Sequence, residues 1–167
     1  MQWGKRTVAG VEYDLTHLDP FILTMPSHNG AAEIAARVRF GSHVFTIKWD
    51  TNYIDDYRVT DGKKSRCFCP ERFGHSTHLR GLVELSCPGR VLFDPARKLV
   101  MLGNPPGTLS PYAMFFEMDR VVGRPYELDI VVVSAHAQPH LKAKLGMSCP
   151  HLARIVADGN PIPWPKK

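Results

Sequence analysis

Long apolar runs are missing from this chain. No stretch approaches the ~20 consecutive apolar residues that cross a bilayer as a helix. The opening Met1-Gln2-Trp3-Gly4-Lys5-Arg6 lacks the apolar core of a secretory signal. Cysteine is scarce: Cys67, Cys69, Cys87 and Cys149 are too few to staple a chain of 167 residues, and Cys67 and Cys69 lie too close to bridge each other comfortably. These absences lead to the expectation of a reduced, soluble, cytoplasmic protein with no membrane partner. Acid is also short, 16 Asp+Glu against 21 Lys+Arg, and the resulting +5 favours the approach of a polyanion such as nucleic acid. Hydrophobic residues at 44% and charged residues at 22% are those of a chain that builds a core, and the length suits a single domain, 1–167, ending in an extended proline-rich tail over 159–167.

Hairpin signals outnumber helices, which predicts an α+β fold, mainly a twisted antiparallel sheet. Ile34 to Phe40 and His43 to Trp49 flank Gly41-Ser42, a two-residue connection suited to a type II′ turn, with Phe40 facing His43 and Val38 facing Phe45. In that register Arg37, Arg39 and Lys48 form a basic, solvent-facing surface. A second hairpin is predicted across Asp61-Gly62. Leu79, Leu82 and Val83 recur at helical spacing in one central helix over about 75–86, and a short C-terminal helix is expected over about 148–157, with Pro150 in its first turn and Gly159 after it. The run Ile130-Val131-Val132-Val133 reads as a central strand buried on both faces. Its alternation puts Ser134 and His136 at its carboxyl end, on the side of Ile130 and Val132. Phe45, Ile47, Leu82, Val83, Ile130 and Val132 are expected in the core.

Arg66 to Leu79 is the densest run of reactive side chains, with two thiols, two arginines, two imidazoles and two hydroxyls at a strand-to-helix junction. Such a junction favours an anion. One reading is acid–base chemistry on phosphate: His75 or His78 carries the proton, Arg72 and Arg66 hold the phosphate, and Ser76 or Thr77 caps the helix and meets the substrate. Cleavage of RNA by its own 2′-hydroxyl needs only a base, an acid and cations around the phosphorane, hence no metal and no cofactor. The competing reading is structural zinc on Cys67, Cys69, His75 and His78, although Cys-x-Cys departs from the usual Cys-x2–4-Cys spacing. A two-histidine phosphoesterase is excluded, because His75-Ser76-Thr77 has no second His-x-Thr/Ser partner at His136 or His151.

The segment Tyr126 to His136, following an earlier stretch rich in His and Arg, resembles the closing strand of the barnase–RelE-like ribonuclease-toxin superfamily. That resemblance implies a twisted sheet that holds RNA, with a polar residue late in the last strand at the site, which marks Ser134 and His136. Two functions are therefore carried forward. One is a metal-independent ribonuclease or phosphodiesterase, a toxin or defence effector, with His75, His78, Arg72 and Ser134 as catalytic candidates. Arg66, Ser76, Thr77, Arg37, Arg39, Lys48 and His136 are then its substrate-binding candidates. The other is a noncatalytic protein of a mobile element or phage-like system that binds nucleic acid or a protein partner or inhibitor.

Overall fold

The computed structural model describes residues 2–26, 32–62, 64–96, 98–107 and 111–165. In chain order its elements are β1 (Lys5–Val8), β2 (Val11–Asp14), β3 (Phe21–Met25), β4 (Ile34–Phe40), β5 (Thr46–Lys48), β6 (Arg58–Asp61), β7 (Lys64–Phe68), α1 (Pro70–Ser76), α2 (Leu79–Ser86), β8 (Arg90–Phe93), β9 (Leu99–Gly103), β10 (Tyr112–Arg120), β11 (Leu128–Ala137), β12 (Lys144–Ser148) and α3 (Cys149–Ala157). The fold is α+β and mainly antiparallel, as the hairpin signals implied. A seven-stranded sheet runs β12-β8-β9-β10-β11-β4-β3, beside a three-stranded sheet β5-β7-β6 and the β1-β2 hairpin.

Strand alternation decides which face of the large sheet is covered. Ile34, Ala36, Val38 and Phe40 of β4 are buried, as are Met114, Phe116 and Met118 of β10 and Ile130 and Val132 of β11. The register aligns Val38, Ile130 and Met118 in one apolar row. Leu82 of α2 touches Gly103 of β9 on this side, and Leu152, Ala153 and Val156 of α3 join the same core. The tail packs Trp164 edge-on against Phe93, ring centroids 5.2 Å apart. The opposite face carries the alternate residues Ile22, Arg37, Arg39, Val131, Phe115 and Glu117, none of which is buried.

Several local expectations change. Gly41-Ser42 does not turn a hairpin: β4 pairs in parallel with β11 and antiparallel with β3, while β5 pairs with β7. The reason is local. Gly41 has φ −81°, outside the left-handed region that a type II′ turn requires at its first position, and its N–H donates to the Val132 carbonyl at 2.9 Å, prolonging the β4–β11 ladder. A 3-10 turn over Ser42–Val44 then carries the chain to the second sheet. Lys48 therefore does not share a face with Arg37 and Arg39. Those two arginines are also bound: the Asp129 carboxylate accepts from Arg37 Nε at 3.0 Å and from Arg39 Nε at 3.1 Å. Burial pushes the Asp129 carboxyl up, but hydrogen bonds from Arg39 and Arg37 outweigh it and leave the group below its ordinary value.

The Asp61-Gly62 hairpin forms, pairing Asp61 with Lys64, and Gly62 takes the positive φ of 58°. The helical stretch after it divides into α1 and α2, with Pro70 in the first turn of α1, where its missing N–H is not needed. Of the expected core, Phe45, Val83, Ile130 and Val132 are fully buried, whereas Leu82 and Ile47 are half-buried. Val131 and Val133 are half-buried too, so β11 is covered on one face and not on both.

Candidate active site

A β-bulge in β11 creates the site. Phe116 pairs with Val132, but the next residue back, Phe115, pairs with Ser134, so Val133 is an extra residue in β11. Beyond the bulge the alternation reverses. Ala135 takes over the core face, and Ser134 and His136 move to the open face instead of lying beside Ile130 and Val132. Burying that hydroxyl and imidazole among methionines and phenylalanines would have cost free energy. On the open face His136 stacks on Phe115, centroids 5.6 Å apart and planes 23° apart.

The His136 ring is held at both nitrogens, with Ser134 Oγ 3.2 Å from Nδ1 and the Gln138 amide nitrogen 2.6 Å from Nε2. With that amide donating to Nε2, the neutral ring is assigned its proton on Nδ1, donated to Ser134 Oγ. Burial, reinforced by the cationic Arg72, lowers its pKa below 6.5. Ser134 lines a cavity of about 380 Å³ together with Val133, Ser42, His43, Asp61 and Lys98. Asp61 accepts a hydrogen bond from Ser42 Oγ, and Lys98 is paired with Glu117 on the open face.

Two guanidiniums are anchored at His43 and Thr46. Arg72 Nη1 donates to the His43 carbonyl at 3.1 Å and the Thr46 carbonyl at 2.9 Å. Arg66 Nε donates to Thr46 Oγ1 at 2.6 Å and Nη2 to the Thr46 carbonyl at 3.4 Å. Arg72 Nε and Nη2 make no hydrogen bond among the described residues. Burial, then the neighbouring Arg72, lowers the Arg66 pKa. His43 is depressed below 6.5 by burial first, then by Arg66, with Asp61 opposing and Arg72 and Lys64 adding to the effect. His43, on the cavity wall, and His136, bonded to Ser134 of that wall, are therefore both neutral at neutral pH, and both lie within the field of Arg72.

Of the residues singled out in the sequence, Ser134 lines this cavity, His136 is bonded to Ser134, and Arg72 and Arg66 neighbour His43 of the cavity wall. Arg39 lies next to them, lining a hollow of about 140 Å³ that shares Gly41, Ser42 and Asp61 with the cleft. His75 does not line the cavity: its ring packs edge-on against Tyr112, centroids 5.6 Å apart, a residue that alternation along β10 puts on the helix-covered side with Met114 and that Arg72, one turn earlier in α1, also influences. His78 is exposed at the α1–α2 junction. Ser76 and Thr77 end α1 and do not cap its start, donating to the carbonyls of Phe73 at 2.7 Å and Gly74 at 2.8 Å. Ser76 is buried, and its hydroxyl also meets His17 Nε2 at 2.8 Å.

Cys67 is buried, with its thiol on the Phe68 carbonyl. Among the described residues no three His, Cys, Asp or Glu side chains converge on a metal-sized site. His43 and Ser42 were hidden by the supposed Gly41-Ser42 hairpin, which placed His43 opposite Phe40, while Asp61 was read only as a turn residue and Gln138, beyond the end of β11, carried no signal.

These depressed imidazoles carry a pH prediction. His17 is lowered mainly by burial as well, so below 6.5 the folded chain holds fewer protons at His17, His43 and His136 than the unfolded chain does. Stability is then full above 6.5 and falls as pH drops through that value towards the folded pKa values. Urea midpoints at about pH 7.5 and 5.5 should show the lower value at acid pH, with a smaller difference in His136→Asn. Equal midpoints in the wild type would contradict the burial of these rings.

Fold and site together define an α+β domain whose large sheet is covered by helices on one face and bears a histidine-containing cleft on the other. The chain belongs to the YjaZ family, whose model matches residues 5–155 and so takes in every cleft residue. No curated protein and no solved structure matches it significantly. Among the described residues no helix is long and apolar enough to cross a membrane.

Proposed function

We propose that this chain is a metal-independent, ribonuclease-like phosphodiesterase acting on RNA in the cytoplasm, as a toxin or defence effector. The observation that supports this reading most is that two neutral imidazoles, His43 on the cavity wall and His136 bonded to Ser134 of that wall, both lie in the field of the backbone-anchored Arg72, with Arg66 beside His43. One imidazole takes the proton of the attacking 2′-hydroxyl; for His136 to do so, that hydroxyl displaces the Gln138 amide from Nε2, the ring nitrogen that carries no proton. The other, protonated, gives a proton to the departing 5′-oxygen as the new O–P bond forms and the old P–O bond breaks. Arg72 and Arg66 face the charge that builds on the phosphorane, and because their hydrogen bonds fix them beforehand, little reorganisation is needed as that charge develops. His136 and His43 take the roles that the sequence alone suggested for His75 and His78.

Both imidazoles sit below 6.5, so the rate of cleavage should follow a bell whose centre lies on the acid side of that value. The test is digestion of a mixed RNA pool in EDTA by folded protein across the imidazole range. Absence of cleavage at every pH removes the ribonuclease reading. Binding without cleavage supports the noncatalytic nucleic-acid-binding alternative instead.

A further inference from the structure

Away from the cleft, on the helix-covered side, two thiols meet. Cys87 caps the C-terminal end of α2 and Cys149 opens α3, and their sulfurs lie 3.3 Å apart although 62 residues separate them in the chain. Both are fully buried. The backbone around them is held from both sides: Cys149 N–H donates to the Gly89 carbonyl at 2.8 Å, and Ser148 pairs with Arg90 between β12 and β8. A disulfide needs S–S of about 2.05 Å and Cβ atoms about 3.8 Å apart, so closing the bond from this contact asks for side-chain rotation and a small approach with the backbone already in place. The hydrogen bond from Cys149 also favours ionisation of Cys87 against the opposing effect of burial. Cys67 and Cys69, two apart on one chain, have no such partner geometry.

We propose that Cys87 and Cys149 form an oxidant-driven disulfide that fastens the end of α2 to the start of α3. With a peroxide as oxidant, the Cys87 thiolate attacks one peroxide oxygen, giving a sulfenic acid and releasing hydroxide. The Cys149 thiol then attacks the Cys87 sulfur, the S–O bond breaks and water leaves. Two thiols and one hydrogen peroxide thus become one disulfide and two waters. The bond closes a long loop and so restricts the unfolded chain.

The experiment treats folded full-length protein with hydrogen peroxide, blocks the remaining thiols under denaturing conditions and maps tryptic peptides without reduction. Peptides 81–90 and 145–154 each hold one of the two cysteines, while Cys67 and Cys69 share peptide 67–72. The expected result is a cross-link between 81–90 and 145–154, lighter than the two peptides by two hydrogens, and a fall from four free thiols to two. The urea midpoint should rise on oxidation and return with dithiothreitol, and in Cys87→Ser it should not rise. Four unchanged thiols, a sulfinic acid at Cys87 without a cross-link, or a disulfide involving Cys67 or Cys69 would overturn the proposal. The wild-type peptide map decides the matter even if the serine variant does not fold.

Discussion

His136→Ala and His43→Ala should each slow RNA cleavage by roughly 10²–10⁴-fold while leaving RNA affinity nearly unchanged, because each removes a proton carrier and no phosphate-holding charge. His75→Ala and His78→Ala serve as the comparison. His75 packs on Tyr112 on the covered side of the sheet and His78 is exposed at a helix junction, so neither should alter cleavage by more than a few-fold. Arg72→Ala should instead weaken binding and reduce its salt dependence by about one phosphate contact. Arg72 also holds the His43 and Thr46 carbonyls, so Arg72→Lys, which keeps the charge and loses the fork, separates the two roles: it should keep the salt slope and still cleave slowly. The measurement is single-turnover cleavage beside a binding titration at several salt concentrations. A large loss in His75→Ala with wild-type rates in both His43→Ala and His136→Ala would move the chemistry to the other side of the sheet.

How far the sequence reveals this site depends on the range of the interaction that builds each part. The Asp61-Gly62 hairpin was legible because its turn chemistry is local, as was the last helix, which has Pro150 in its first turn and stops before Gly159. The parallel pairing of β4 with β11 was not, since its partners lie about ninety residues apart; Arg37, for one, meets Asp129 at a separation of 92. Gly41-Ser42 gave a short-range signal for a different pairing, and that error hid His43. The bulge at Val133 is a subtler case. An unbroken β-branched run conceals it, yet strict alternation would have pushed Ser134 and His136 into an apolar core, and that conflict is itself a sequence-level sign that the register must slip. Arg66 and Arg72 were singled out by their place at a strand-to-helix junction, and Ser134 and His136 by strand alternation and the resemblance of their strand; what sets them near His43 is tertiary.

Replacement of Ile130 by Ala should destabilise the protein by about 2–5 kcal/mol. Ile130 is fully buried on the helix-covered face, with Val38 of β4 on one side and Met118 of β10 on the other, so truncation loses apolar burial and leaves a cavity that three packed strands cannot readily close. Val131, the next residue, provides the contrast. It is half-buried on the open face, in register with Arg39 and Glu117, and it keeps part of its surface in water in the folded state. Val131→Ala removes less burial, creates no enclosed void and should cost roughly 1 kcal/mol or less. Urea denaturation of the two variants beside the wild type decides between a strand covered on one face and a strand covered on both, because the latter predicts comparable losses. If Ile130→Ala is too unstable to purify, Ile130→Val should still lower the midpoint by an amount equivalent to about 0.5–1.5 kcal/mol. A Val131→Ala loss matching that of Ile130→Ala would mean that the face bearing His136 is itself packed, and the open cleft would go with it.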